Sequence, residues 1–445
     1  MSVGKDRLRS WLEELERIDR PSASEGERRA AEWLVGRFAE LGVGARIEAE
    51  PAHGTYWWPL GLGAALGALG GILGLRGRRL FGGALAGAAA AGMASDFPPG
   101  KRWLRRALPR RTTYNVLCEL GPADAKGISG DPRVRLASAG PSGARTQGGR
   151  IAALFGRLRT PPRAGPPPPD VRGGPRMDPL RTVVVIAHHD AAHSGLVFHP
   201  ELPNIADRLG LIERTDTSPA LMAPVVGGPV LAALGALTGR RLLTKIGVFL
   251  GLGSAAAMAE IGARKVVPGA NDNGSAVVSL LALAEQLSER PPESLRVILL
   301  SVGSEESFSE GIKAFGERHF PQLPRESTFF LCLESTGSPH LLVLRGEGFL
   351  KMREYPARSL ALMDGLAEEL GIDLFPNLRL RSGTDGLEPL AAGYETAVLC
   401  SCTDLKQPAN YHWWHDLAEN VEFDTVADGI CLSAAAIRRL DERWL

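Results

Sequence analysis

The sequence predicts an α/β fold: a mostly parallel, doubly wound sheet flanked by helices, into which two apolar helical hairpins are inserted. Three observations lead there. Four strongly apolar runs, at 182–187, 295–302, 328–334 and 397–401, are rich in Val, Ile, Leu and Phe, as strands covered on both faces are. Segments of helical period, 274–289 and 358–371, alternate with them, which is the order of parallel strands joined by crossover helices. Two charge-free blocks, "YWWPLGLGAALGALGGILGL" at 56–75 and "PALMAPVVGGPVLAALGALT" at 219–238, are each followed by a basic turn and a second apolar run.

Taken in order, residues 5–18 carry Leu8, Trp11, Leu12 and Leu15 at helical spacing until Pro21. A second helix follows, with Ser24 as N-cap, Glu27 three residues on, and Gly42 as its stop. The first hairpin occupies 56–107 and the second 219–262. The main domain is then 1–55, 108–218 and 263–445. Within it, residues 122–180 include "RTPPRAGPPPPDVRGGPR", a Pro/Gly/Arg-rich stretch that cannot bury a core and reads as a mobile loop.

The hairpin blocks are long enough to cross a bilayer and rich in small residues, as closely packed membrane helices are. Membrane association through 56–95 and 219–259 is expected; the alternative is a pair of hairpins packed on the protein or on a second subunit. The charged N-terminus, "KDRLRSWLEELERIDR", is no cleavable signal peptide. Basic residues at the hairpin tips and in the flank 101–106 leave sidedness open, and the oligomeric state is not readable. A net charge of +1 gives no reason to expect nucleic acid. Five cysteines do not make a disulfide framework. Cys118, Cys332, Cys400 and Cys431 are expected as small buried hydrophobes.

In open parallel sheets, ligands bind beyond the carboxyl ends of the strands. The first apolar run ends in His188 and Asp190, the second is followed by Glu305 and Glu306, the third ends in Glu334, and the fourth leads to His412 and His415. Asp272 precedes the 274–289 helix in "GANDNGSA". Imidazoles and carboxylates without thiolates suit Zn²⁺. Two divalent ions about 3.5–4 Å apart need a bridging carboxylate, which an Asp in a tight Gly-flanked turn can supply. Of two adjacent glutamates, one can bind metal while the other takes a proton. Two residues apart on extended chain, His188 and Asp190 share a face, so Asp190 can orient the imidazole.

With "AHHDA", "GANDNGSA", "SEES" and "NYHWWHDLAENV" in that order, the chain resembles the M28 family of co-catalytic dizinc aminopeptidases, over about 5–50, 112–120 and 180–440. The resemblance implies a zinc-exopeptidase-like fold and two Zn²⁺ per chain. His188 and Glu334 would hold one ion and Glu306 and His412 the other, with Asp272 bridging, Glu305 as general base and Asp190 behind His188. His189 is expected to point away, and His193 and His199 to lie in loops. Where this chain has Glu334 the family more often has Asp, and Gly386 stands where the family often has His. The expected function is hydrolysis of N-terminal peptide bonds. The alternatives are a single-zinc glutaminyl cyclotransferase-like enzyme, which shares the scaffold, and a non-catalytic, membrane-anchored binding module.

Overall fold

The computed structural model describes residues 4–122, 180–212 and 215–445; the Pro/Gly/Arg-rich loop expected at 122–180 lies almost wholly outside them. The chain opens with α1 (Lys5–Leu15) and α2 (Glu25–Glu40). Strand β1 (Ala45–Ala52) leads to the first hairpin, α3 (Trp57–Leu75) and α4 (Arg79–Ala94). Strands β2 (Arg111–Leu120) and β3 (Arg181–His188) and helix α5 (Glu201–Arg208) come next. The second hairpin is α6 (Ala223–Thr238) and α7 (Arg241–Ala263). Helix α8 (Ala276–Glu289), β4 (Leu295–Val302), α9 (Glu310–His319), β5 (Thr328–Glu334) and β6 (His340–Val343) follow. The short strands β7 (Gly346–Glu347), β8 (Arg353–Glu354) and β9 (Arg379–Leu380) form a small second sheet around α10 (Ala357–Leu370) in the chain. Helix α11 (Leu387–Ala391), β10 (Glu395–Cys402) and α12 (Phe423–Glu442) complete the chain.

Among the described residues the main sheet has seven strands in the order β1-β2-β4-β3-β5-β10-β6. The four central strands are parallel; β1, β2 and β6 are antiparallel partners at the edges. Alternate residues feed two cores. Val183, Val185, Leu299 and Leu331 pack on the face covered by α1, α2, α8 and α12, and Val184, Ile186, Leu300 and Phe330 on the face of α9. Both faces are therefore covered, which is why these strands read as unbroken apolar runs.

The antiparallel strands β1, β2 and β6, of which β1 and β6 are the edges, were not evident from pattern. β1 mixes buried and exposed positions, and its Pro51 sits where an edge strand tolerates a missing N–H. Two further expectations change. Ser24 does cap α2, accepting from Gly26 N and Glu27 N, but Glu27 does not close a capping box. It turns inward and accepts from Ala23 N, Thr113 Oγ1, Tyr114 N and Ser304 Oγ. Cys431 is exposed on α12 rather than buried, because it lies on the solvent side of that amphipathic helix.

The two hairpins pack together as one antiparallel bundle. Its interior is glycine and alanine: a Cβ on Gly67 would lie 2.6 Å from Pro229, and one on Gly82 would lie 2.3 Å from the Gly70 carbonyl oxygen. The backbones touch, and only glycine permits it.

Candidate metal centre

The carboxyl ends of β3, β4, β5 and β10 lie on one edge of the sheet, and His188 pairs in register with Val302. The His188 imidazole closes β3, Glu334 closes β5, and Glu305 and Glu306 follow β4 by three and four residues. His412 comes from the segment after β10 and has a left-handed backbone (φ 52°). It is held between Tyr411, stacked at 3.9 Å, and the edge of Phe198 at 4.5 Å.

Asp272 sits in a buried turn at 270–275 that precedes α8. The turn begins at Gly269 (φ 63°), where a Cβ would lie 2.7 Å from the Asp272 carbonyl oxygen. Two side chains outside the turn, and one within it, fix it. Asp416 accepts from Asn271 N (2.6 Å) and Asp272 N (3.1 Å). The buried Arg20 guanidinium donates to the carbonyls of Pro268 and Gly269, both at 2.6 Å. Asn273 donates to Leu333 O (3.0 Å) and accepts from Ser335 N (2.8 Å), tying the turn to the end of β5 where Glu334 stands.

Among the described residues two donor triads overlap at Asp272, and a third group, His188, Glu305 and Glu306, overlaps both. His188 Nε2 lies 3.3 Å from Asp272 Oδ1 and 3.3 Å from Glu334 Oε1. His412 Nε2 lies 3.3 Å from Asp272 Oδ2 and 3.3 Å from Glu306 Oε2. Within each of these sets the donor atoms fall inside 4.8 Å of one another, and Asp272 faces both histidines, one with each oxygen. Glu305 Oε2 stands back at 3.9 Å from His188 Nε2 and faces the cleft. Asp190 lies behind. Its carbonyl and carboxylate oxygens are 3.2 and 3.4 Å from His188 Nδ1. The same carboxylate accepts from Glu305 N (3.0 Å), Glu306 N (3.1 Å) and Ser22 Oγ (2.6 Å).

The electrostatics are those of carboxylates crowded out of water. Burial pushes Glu306 well above the usual carboxylate range, with Asp272 and Glu305 adding to it. Burial also lifts Glu305 well up, outweighing His188, with Asp385 and Glu334 contributing. Burial alone would lower the His188 imidazole, but the Glu334 charge and contacts to Asp190 and Asp272 raise it well above its ordinary value. Such a cluster calls for cations. The buried atoms Glu306 Oε1, Glu334 Oε2 and His412 Nδ1 have no hydrogen-bond partner among the described residues. Hard oxygens and imidazoles around one shared carboxylate fit divalent cations, zinc foremost.

The remaining histidines stand apart. His189 is buried with Nδ1 2.9 Å from Ser301 Oγ, and burial lowers it to about 3. His193 faces the Arg264 carbonyl and packs at a tilt against Trp57, His199 packs edge-on to Trp413, and His415 is exposed. Ser22, Arg20 and Asp416 escape sequence reading because they work on backbone groups or behind another side chain; the "HD" of "NYHWWHD" is the one visible trace of Asp416.

The cleft over the triads, about 1040 Å³ including its open mouth, has apolar walls from Tyr56, Phe308, Phe349, Leu221 and Met222. The loop 304–309, which carries Glu305 and Glu306, is braced by the roots of the first hairpin. Arg102 donates to Phe308 O, and Arg105, paired with Asp96 at 2.8 Å, donates to Ser307 O. Glu310 accepts from Gly54 N (2.8 Å), His53 N and Ser307 Oγ (2.7 Å).

Residues 257–434 match the model of peptidase family M28. No curated protein matches the chain in sequence. Among solved structures, the chain is similar to an aminopeptidase from Aneurinibacillus sp. strain AM-1 (12% identity, covering 98% of this chain and 93% of that one, TM-score 0.50). It is likewise similar to a zinc aminopeptidase from Bacillus subtilis (12%, 98% and 95%, TM-score 0.51). A glutaminyl cyclase from Bacteroides thetaiotaomicron aligns at 11% identity over 98% of each chain, with a TM-score of 0.49. At these identities the likeness to the aminopeptidases is one of fold. The family match and the donor set together support a metal-dependent, peptidase-like function.

Proposed function

We propose that this chain, with the M28 peptidase signature in its C-terminal half, is a dizinc aminopeptidase. The observation that carries this reading is Asp272, whose two oxygens each face a different histidine at 3.3 Å, with Glu334 completing one triad and Glu306 the other. The second triad favours two ions over one. Ions held there supply Lewis acidity, polarising a carbonyl oxygen and lowering the pKa of water.

The chain's own residues do the rest. Glu305 faces the cleft at the site's edge, within reach of a water between the triads, and takes its proton for delivery to the leaving amine. Asp190 fixes the Glu305 and Glu306 backbone and the ring of His188 together, so base and donors keep one geometry. Acidic groups at the closed end of the cleft suit a free α-amine, and its apolar walls suit an apolar N-terminal side chain.

The test is Glu305→Gln. The purified variant should hold the same metal as the parent, two ions per chain by elemental analysis, yet hydrolyse a leucyl amide at least about 100-fold more slowly. Full activity in that variant overturns the assignment of the base. One ion per chain in the parent favours cyclotransferase chemistry instead.

A further inference from the structure

The hairpin bundle is built inside out. Toward the tips, glycine and alanine fill its interior and the large apolar side chains point away from it; Leu60, Met93, Val225, Met258 and Ile261 are buried only at its root. Leu62, Leu66 and Leu69 form a stripe along α3, and Phe81, Leu237 and Phe249 project from α4, α6 and α7, with Phe81 63% and Phe249 76% exposed. Only 28% of the apolar stretch of α7 is buried, whereas a core helix of a water-soluble protein buries most of its apolar face. Alanine and glycine contacts provide little hydrophobic drive in water, but they are how helices associate in lipid, through close backbone approach.

Lengths and charges agree. At 1.5 Å per residue α3 spans about 28 Å and α7 about 34 Å, against about 30 Å of hydrocarbon. α4 and α6, with 16 residues each, stop about a turn short. There Arg79 and Arg240 take over, and long basic side chains reach a headgroup layer. Arg76, Arg78, Arg79, Arg240, Arg241 and Lys245 gather at the tips, all exposed, and the apolar mid-sections carry no charge. At the other end Trp58 is exposed in the first turn of α3, where an interfacial aromatic belongs.

We propose that the four hairpin helices are inserted in a lipid bilayer, with the basic tips at one headgroup layer and the catalytic domain at the other. A second copy of the chain would cover one side of the bundle. The apolar side chains here come from all four helices and surround it, which is the requirement of a lipid.

The test is flotation of the full chain, reconstituted from detergent into vesicles of phosphatidylcholine alone, on a density gradient at high salt, then an alkaline carbonate wash. The parent should float and resist the wash. The triple variant Leu66→Arg, Leu237→Arg, Phe249→Arg should lose at least about tenfold of the floated fraction, since each arginine carries a heavy cost in hydrocarbon. Parent protein that stays in the aqueous phase as monomer or dimer, or that sediments apart from the vesicles, overturns the proposal. So does flotation that needs anionic lipid and is lost in salt, the mark of surface adsorption. Hydrolysis is not the readout, so this result is independent of the peptidase assignment.

Discussion

At the scale of single residues, the centre depends on groups that never touch a substrate. Asp416 presents one oxygen to the N–H of Asn271 and the other to that of Asp272, and so sets where the shared carboxylate points. Asp416→Asn would place an amide NH₂ against one of those N–H groups and leave it unsatisfied, at about 1–3 kcal/mol. The expected result is a metal affinity lowered about 10- to 100-fold, as for other supports behind a ligand, read by competition against a chelator. Unchanged affinity would remove Asp416 from the account. The difference between what could and could not be read from sequence is clear at this scale. His188, Glu305, Glu306 and Glu334 stand at or just after strand ends, where type and position mark them out. Asp416, Arg20 and Ser22 act through hydrogen bonds to backbone or to another carboxylate, and such contacts impose no spacing on the sequence.

At the scale of elements, β3, β4, β5 and β10 were legible because strands buried on both faces leave unbroken apolar runs. The edge strands were not, since half-exposed β1 mixes charge with apolar residues and β6 is only four residues long. Nor was the brace between the first hairpin and the catalytic loop, which joins residues about 257 positions apart. Its hub is Glu310, 5% exposed. Despite burial, which would raise it, Glu310 is held down to about 2 by the His53 hydrogen bonds and the Arg105 and Arg102 charges. A carboxyl depressed in the folded state adds stability above its unfolded pKa, about 4.5, and loses it as pH falls toward 2. Glu310→Gln should therefore cost about 3 kcal/mol at neutral pH. The gap between parent and variant in denaturant unfolding should narrow steadily below pH 4.5. A gap constant from pH 7 to pH 3 would mean that shape, not charge, is what Glu310 contributes.

At the scale of the whole molecule, the cleft and the bundle share their walls. Tyr56, on the cleft, is the residue before α3, and Met222, also on the cleft, is the residue before α6. Trp57 at the start of α3 packs at a tilt against His193, three residues from Asp190. If the bundle lies in lipid, the mouth of the cleft opens within a few residues of the headgroup layer, and chain ends tethered to the same surface meet it at high effective concentration. A peptide carrying a free N-terminus on a short linker to a lipid anchor should then be hydrolysed at least about tenfold faster than the same peptide free in solution at equal bulk concentration, by enzyme reconstituted in the same vesicles. With enzyme and anchored peptide in separate vesicles the advantage should vanish, because the tether no longer confines both to one surface. Equal rates on tethered and free peptide in shared vesicles would show that the cleft opens away from the membrane, and that the bundle anchors the domain without presenting its substrate.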